Sequence, residues 1–361
     1  MLVRRSHGNG TLPGPGEGRG MTSKFSYYYE MSRQVHPWRA APKVWNYLKY
    51  RSLARKAQTS IHRYTPQIAH LMATRRCNLD CGYCHAGNFV GNKGTEWREG
   101  EATLAKIQRI FSNPLFKDCL LVDFGWGEPL MVDEIDSIVS YLVKRGSIVN
   151  ISTNGLLLAK RIAGLKRAGI SRINVSLYDA NRKLIERDIA EINRVFPVHM
   201  SLVLLRSKVE REQDELIETA RFVRQAGCRS LRFWLYRPMG VDPRPEEIID
   251  DAVAAYIEFR RRMEEALPGF CLWPTPVRTR GFKKLCPQLW QRISCDALGN
   301  VAICCGTDAM LQGPNSNLFD SEPDSVYNHP TLVAMRERLL EPGGEPPDIC
   351  KTCNLLGDPG W

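Results

Sequence analysis

The chain has 361 residues, 43% of them hydrophobic and 25% charged, with a formal net charge of +11. This is globular composition, with room for a large core or two domains. No run of about 18 apolar residues occurs, so no helix is expected to span a membrane, and the Gly-rich, polar stretch from Met1 to Gly20 is not a secretory signal. The basic balance suits a polyanionic partner, an acidic substrate or a membrane surface, but much of it is spread over helix faces and says nothing about fold.

Residues 1–24 read as a disordered tail, with Met21 as a candidate start of the folded part. Residues 25–66 form an extension rich in aromatics and bases, including Tyr27, Trp38, Trp45, Tyr50, Arg39, Lys43 and Lys49. Within it, Val44 to Ala57 has the pattern of a basic amphipathic helix. The expected role is packing over one end of the core with the charges in water. Contact with a membrane surface or an acidic partner is the alternative.

From Gln67 onward, short apolar runs alternate with helical patterns. Strands are expected at 67–74, 119–124, 148–152, 172–177, 198–205 and 230–235. The intervening helices place apolar residues three and four apart, as in Leu104, Ile107, Ile110 and Phe111, or Leu216, Ile217, Ala220 and Val223. Six strand–helix units in a row imply a parallel sheet with right-handed crossovers. A long helix is expected over 245–267. Pro268-Gly269 ends it, and an extended linker places a domain boundary near 268.

Twelve cysteines without an export signal point to a reducing cytoplasm and metal ligation rather than disulfides. Cys77, Cys81 and Cys84 stand at C-x3-C-x2-C spacing directly after the first strand. An iron–sulfur cube takes four thiolate ligands, so three leave one iron open. Gly125-Trp126-Gly127-Glu128-Pro129 follows the second strand, Ser152-Thr153-Asn154-Gly155 the third, and Ser176 ends the fourth. The Asn-Gly pair is also a turn signal in its own right. Beyond the linker, Cys286, Cys304, Cys350 and Cys353 form a second set, and a hairpin with Gly299 in its turn brings Cys286 near Cys304. Four thiolates close a cluster with no open iron; zinc also suits such a set. Cys295 and Cys305 are left over as core thiols, alternative ligands or hydrogen-atom donors.

The Cys77-Cys81-Cys84 motif with Tyr83 resembles the signature of the radical S-adenosylmethionine (radical SAM) family. Gly125 to Pro129 is similar to that family's Gly-Gly-Glu-Pro motif, with Trp126 in place of a glycine. The resemblance implies an α/β fold, a partial (β/α)6 TIM-like barrel over residues 67–267. It implies an open [4Fe-4S] cluster on Cys77, Cys81 and Cys84 that binds S-adenosylmethionine and cleaves it to a 5'-deoxyadenosyl radical. Tyr83, Gly127, Glu128, Pro129, Ser152, Asn154 and Ser176 are the implied cofactor contacts.

Residues 268–361 resemble the SPASM/twitch auxiliary-cluster domains of the same family, the shorter twitch form in particular, because no cysteine follows Cys353. That implies a second [4Fe-4S] cluster on Cys286, Cys304, Cys350 and Cys353. The implied activity is dehydrogenation or epimerisation of a sugar- or aminocyclitol-type small molecule in natural-product biosynthesis, with Cys295 or Cys305 as the hydrogen donor in an epimerisation. Modification of a ribosomally made peptide is the alternative; the leader-binding domain and longer cysteine set common in such enzymes are not seen. A non-catalytic metal-binding protein is the third reading. A small-molecule substrate and an electron donor such as flavodoxin or ferredoxin are expected as partners. Nucleic acid and membrane are not.

Overall fold

A computed structural model describes residues 30, 33–34, 36–56, 59–62, 65–82, 84, 100–238, 243–279, 286–307 and 309–357. The tail 1–24 and Tyr83 lie outside them. The expected strands are present as β1 (Ile68–Met72), β2 (Leu121–Gly125), β3 (Ile148–Thr153), β4 (Ile173–Ser176), β5 (Val198–Leu204) and β6 (Ser230–Leu235). They pair in parallel in chain order.

The sheet continues beyond these six. β7 (Cys271–Leu272) adds in parallel to β6, and β8 (Arg292–Asp296) adds in parallel to β1. β9 (Val301–Ala302) then turns back antiparallel on β8, leaving an open sheet with β7 and β9 at its edges. The hairpin expected near Gly299 is therefore partly a strand of the main sheet, which runs across residue 268. The reason is local. β1 is buried at every position, and without β8 its outer edge would leave backbone N–H and C=O groups without partners.

Between the strands lie α2 (Leu104–Ser112), α3 (Ile135–Lys144), α4 (Leu158–Ala168), α5 (Arg182–Val195), α6 (Arg206–Arg211), α7 (Gln213–Gln225) and α8 (Ala254–Ala266), after the N-terminal α1 (Pro37–Lys56). Thr103 caps α2 by accepting from the Lys106 N–H at 3.3 Å, and Ile107, Ile110 and Phe111 face the sheet. The helix expected over 245–267 starts only at Ala254. The Val277 N–H bonds to the Ile249 carbonyl at 3.1 Å and the Asp251 N–H to the Val277 carbonyl at 2.9 Å, so residues 249–251 are drawn into extended pairing. This buries Ile249 completely.

Strand register separates two faces of the sheet. Leu71 lies opposite both Phe124 and Cys295, and all three belong to the helix-facing hydrophobic core. The other face is polar. His70 lies opposite Asp123 and Ser294, Asp123 opposite Asn150, and Asn174 opposite His199. Arg292 pairs with Asp123 at 3.0 Å, and Asn150 Oδ1 accepts from Arg172 at 2.9 Å and from Asn174 at 2.6 Å. Parallel strands buried on both faces are normally apolar throughout; here the inner face is built to meet water or a polar ligand.

Residues of the N-terminal extension pack against the start of β3, and its helix begins earlier than the sequence pattern suggests. Ala40 meets Leu120 and Ile148 at the start of β3, and Lys43 Nζ donates to Ser147 Oγ at 2.9 Å. The Gln34 side chain both donates to the Val149 carbonyl (2.9 Å) and accepts from the Val149 N–H (2.6 Å). It takes the backbone partners that β4 leaves, since β3 and β4 pair over only Ser152–Thr153. Glu30 reaches His199 at 2.6 Å. Trp38 and Trp45 remain outside, 83% and 71% exposed.

The C-terminal part is clamped by Arg336, which is fully buried and donates to the carbonyls of Leu289 (3.1 Å), Ser60 (3.2 Å) and Tyr327 (2.9 Å). Among the described residues no helix is long and apolar enough to cross a membrane.

Candidate active site

The loop after β1 carries Cys77, Cys81 and Cys84, and the Cys84 N–H turns back to the Cys81 carbonyl at 2.9 Å. All three thiols are free and half-buried. Burial raises the Cys77 thiol, with Glu128 and Cys84 adding to the rise; burial, with Cys84 and Cys77 next, pushes Cys81 up to about 12. A bound cation would displace those protons, since only the thiolate ligates a metal.

The next strand ends close over this loop. Gly127 has φ +67°, and a Cβ there would be driven into the carbonyl oxygen of Thr74. Only glycine fits both the backbone conformation and the approach. Trp126 has φ +58°, in the same left-handed region. The residue that replaces the motif's glycine thus keeps a glycine-like backbone. Its indole packs on Met72, Ala302, Cys84 and Met310, and stands edge-on to His70 at 5.8 Å.

Glu128 is buried, and its carboxylate accepts from Thr153 Oγ1 (2.7 Å), the Asn154 N–H (2.8 Å) and the Leu130 N–H (3.0 Å). Burial raises its pKa, while these three donors pull the other way. Pro129 begins the 3-10 turn that Glu128 caps. Glu128 here orders the ends of β2 and β3.

Asn154 donates from Nδ2 to Asn78 Oδ1 at 2.6 Å and lies 3.8 Å from Cys77 Sγ. Ser152 is exposed near the end of β3. Ser176 Oγ lies 3.2 Å from Ser201 Oγ, turned toward β5. Tyr178, two residues past β4, lies in the field of Cys81, Cys84 and Cys77, and burial keeps its hydroxyl protonated. No motif marks it; its place just past a strand end is the one sequence signal.

The second set also converges. Cys286, Cys304 and Cys350 meet in one apolar cluster with Tyr50, Trp290 and Leu339, and Cys353 follows Cys350 in a turn. Burial raises the thiols of Cys286 and Cys304 well above the usual range and that of Cys350 to about 12. Cys305 stands with them, within electrostatic reach of Cys286. It is a fifth member of this group rather than a separate thiol.

Cys295 belongs elsewhere. It is fully buried, on the helix-facing side of β8, beside Cys119. Side chains alternate along a strand, so the one facing the barrel interior is its neighbour Ser294, opposite His70. The expectation that Cys295 gives a hydrogen atom to a substrate is therefore corrected: it is a core thiol.

Arg237, past the end of β6, lies among the second set. Burial lowers its pKa, but Cys353, Cys305, Cys304 and Cys286 more than offset this and raise it. Its Nη2 donates to Asn354 at 3.4 Å. Farther along the same connection, Arg244 Nη2 approaches Gly82 in the first loop, 3.5 Å from where a Cβ would stand.

Among the described residues, no three His, Cys, Asp or Glu side chains converge as a site for a single metal ion. A four-iron cube is larger than one ion and holds its thiolates apart. Both sets are built of soft sulfur donors, the chemistry such a cube takes.

Residues 71–254 match the model of the radical SAM superfamily. A GTP 3',8-cyclase of Corynebacterium glutamicum is 34% identical over 212 residues, 53% of this chain and 54% of that protein. A GTP 3',8-cyclase of Mycobacterium ulcerans is 38% identical over 116 residues, 30% of each. The chain thus spans between 30% and 58% of the length of such curated relatives. Among solved structures, Streptococcus suis SuiB bound to the precursor peptide SuiA aligns with a TM-score of 0.58 at 17% identity, over 86% of this chain and 73% of that one. That likeness is one of fold.

Proposed function

The chain belongs to the radical SAM superfamily, and from that premise we propose that it cleaves S-adenosylmethionine on the Cys77–Cys84 loop and uses the resulting radical on a small polar substrate. The carrying observation is the bond from Asn154 to Asn78, which seats the three-cysteine loop against the Glu128 segment. When bound, an open [4Fe-4S] cluster supplies the electron that splits S-adenosylmethionine into methionine and a 5'-deoxyadenosyl radical.

The chain's own residues do the rest. Cys77, Cys81 and Cys84 would hold the open cluster. Gly127, Glu128 and Pro129 shape the cradle beside it, where the lack of a Cβ at Gly127 lets the backbone come close. Asn154 orients the loop, and Ser152, Ser176 and Tyr83 remain candidate cofactor contacts. The second set, Cys286, Cys304, Cys350 and Cys353, would hold an auxiliary [4Fe-4S] cluster. The polar inner face of the sheet would orient the substrate by hydrogen bonds.

For the substrate, the first reading is a sugar- or aminocyclitol-like molecule that is dehydrogenated or epimerised, which suits the neutral amides and hydroxyls of Asn150, Asn174, Ser176 and Ser201. The second is a nucleotide. The relatives named GTP 3',8-cyclase favour it, as does Arg244, which approaches the first loop at Gly82.

The test is anaerobic reconstitution followed by dithionite and S-adenosylmethionine. Wild type should form 5'-deoxyadenosine; Cys81→Ala should form none with its fold intact, and Cys350→Ala should still form it slowly. Activity in Cys81→Ala would sink the proposal. Substrate candidates separate by product: two mass units lighter for dehydrogenation, unchanged mass with one deuterium from heavy water for epimerisation, and consumption of GTP for the nucleotide reading. Turnover of a peptide alone would reject both.

A further inference from the structure

Arg237 comes from the barrel, yet its guanidinium ends inside the C-terminal cysteine set. It leaves the sheet just after β6. A Cβ added to Gly306 would be driven into its Nη1, so the guanidinium approaches Gly306 edge-on through that nitrogen. Its Nη2 reaches Asn354, the residue after Cys353, at 3.4 Å. It therefore touches two of the three separate segments that supply thiols to this set, those of Cys304 and Cys353. The Gly306 N–H in turn approaches Cys304 Sγ at 3.4 Å. Tyr236, buried next to Arg237, accepts the Arg244 N–H at 2.8 Å, which fixes where this connection runs.

A guanidinium stays charged under all ordinary conditions and donates in a fixed planar fork. A cube held by four thiolates is anionic, and reduction adds one more negative charge. A fixed positive charge in contact with the ligand segments favours the reduced form, because charge and hydrogen bonds to sulfur set cluster potentials. Low surrounding dielectric strengthens the effect.

We propose that Arg237 is the countercharge of the auxiliary cluster, a positioning residue that joins two of its three ligand segments and raises its reduction potential. This rests on the reading of Cys286, Cys304, Cys350 and Cys353 as cluster ligands. Arg237 thereby connects the barrel, through β6, to the auxiliary centre. A Cβ at Gly306 would displace the guanidinium from this position.

The experiment is a reductive titration of reconstituted protein followed by electron paramagnetic resonance, with iron content measured alongside. Wild type should show two clusters. Arg237→Gln should keep the first couple in place and make the auxiliary cluster at least about tenfold harder to reduce, a shift of about 59 mV to lower potential for a one-electron couple. Arg237→Lys should recover part of that shift, since charge returns without the fork. Gly306→Ala displaces the guanidinium without removing its charge and should move the couple the same way as Arg237→Gln. It serves as the deciding variant if Arg237→Gln does not fold. Two clusters in a variant with an unmoved auxiliary couple overturn the role of Arg237 alone. A wild type with one cluster and about four irons overturns the ligand reading, and the inference with it.

Discussion

Asn154 donates from Nδ2 to Asn78 Oδ1 at 2.6 Å, tying the end of β3 to the loop that carries Cys77 and Cys81. Its own carbonyl accepts from Asn181 Nδ2 at 2.7 Å, so the donor is itself held from behind by the start of α5. The loop is thus anchored to two strand–helix units besides its own.

Replacing Asn154 by Ala removes the anchor and leaves Asn78 to water. The loss should be about 1–2 kcal/mol of loop stability, a typical figure for one well-placed bond and its desolvated partner. Iron should then pass from the first cluster to a chelator about tenfold faster, since about 1.4 kcal/mol is a factor of ten. Chelator-trapping kinetics on the reconstituted protein measure this. An unchanged rate would show that Asn78 does not hold the loop.

Trp126 pits backbone against packing. Its φ of +58° costs about 1–2 kcal/mol for a residue with a Cβ. Its indole, 7% exposed, fills the space between Met72 and Ala302, and emptying a buried aromatic site costs about 3–5 kcal/mol. Packing wins. Trp126→Gly restores the residue the family motif carries yet should be about 2 kcal/mol less stable in denaturant unfolding. A variant more stable than wild type would show that backbone strain dominates.

The reach of sequence reasoning follows from the same residues. The three-cysteine spacing and the period of Leu104, Ile107 and Ile110 are local, so they are legible in the chain. Tyr178 and Arg237 sit past strand ends with no spacing to mark them, and only the barrel brings them to the cysteines. β8 reads as one arm of a hairpin because its pairing with β1 joins residues far apart in sequence. The Trp126 departure is visible; that Trp126 contacts Ala302 of β9 is not. Cys295 looks like a spare thiol until register turns it away from the interior.

His199 provides a pH test. It is 2% exposed, bonded to Ser230 Oγ at 2.8 Å and to Glu30 at 2.6 Å. Burial lowers its pKa below 6.5; Glu30 works against this, while Arg172 and Arg232 add to it. In the unfolded chain the imidazole takes up a proton near pH 6.5, whereas in the fold it does so only at lower pH. Between the two the unfolded chain binds more protons, so stability is full above that range and falls as pH drops through it. His199→Gln should flatten this part of the stability–pH curve. Thermal melts of both proteins across that range measure it, and parallel curves would exclude His199 as the source.

Cys295 separates the two possible fates of a substrate radical. Epimerisation needs a hydrogen atom returned, and a thiol facing the substrate is one source. Cys295 lies opposite Leu71 on the helix side of β8, in contact with core residues rather than the inner face. Burial also raises its pKa well above the thiol range, with Asp296 adding to the rise. Cys295→Ala should therefore cost about 1–2 kcal/mol through a small cavity and leave the product unchanged. Run in heavy water with an accepted substrate, it should incorporate as much deuterium per turnover as wild type. A folded Cys295→Ala protein that loses incorporation would mean that the strand turns to expose this thiol. If Cys305→Ala alone loses it, the hydrogen comes from the auxiliary group, and the two cysteines left over in the sequence divide into a core thiol and a working one.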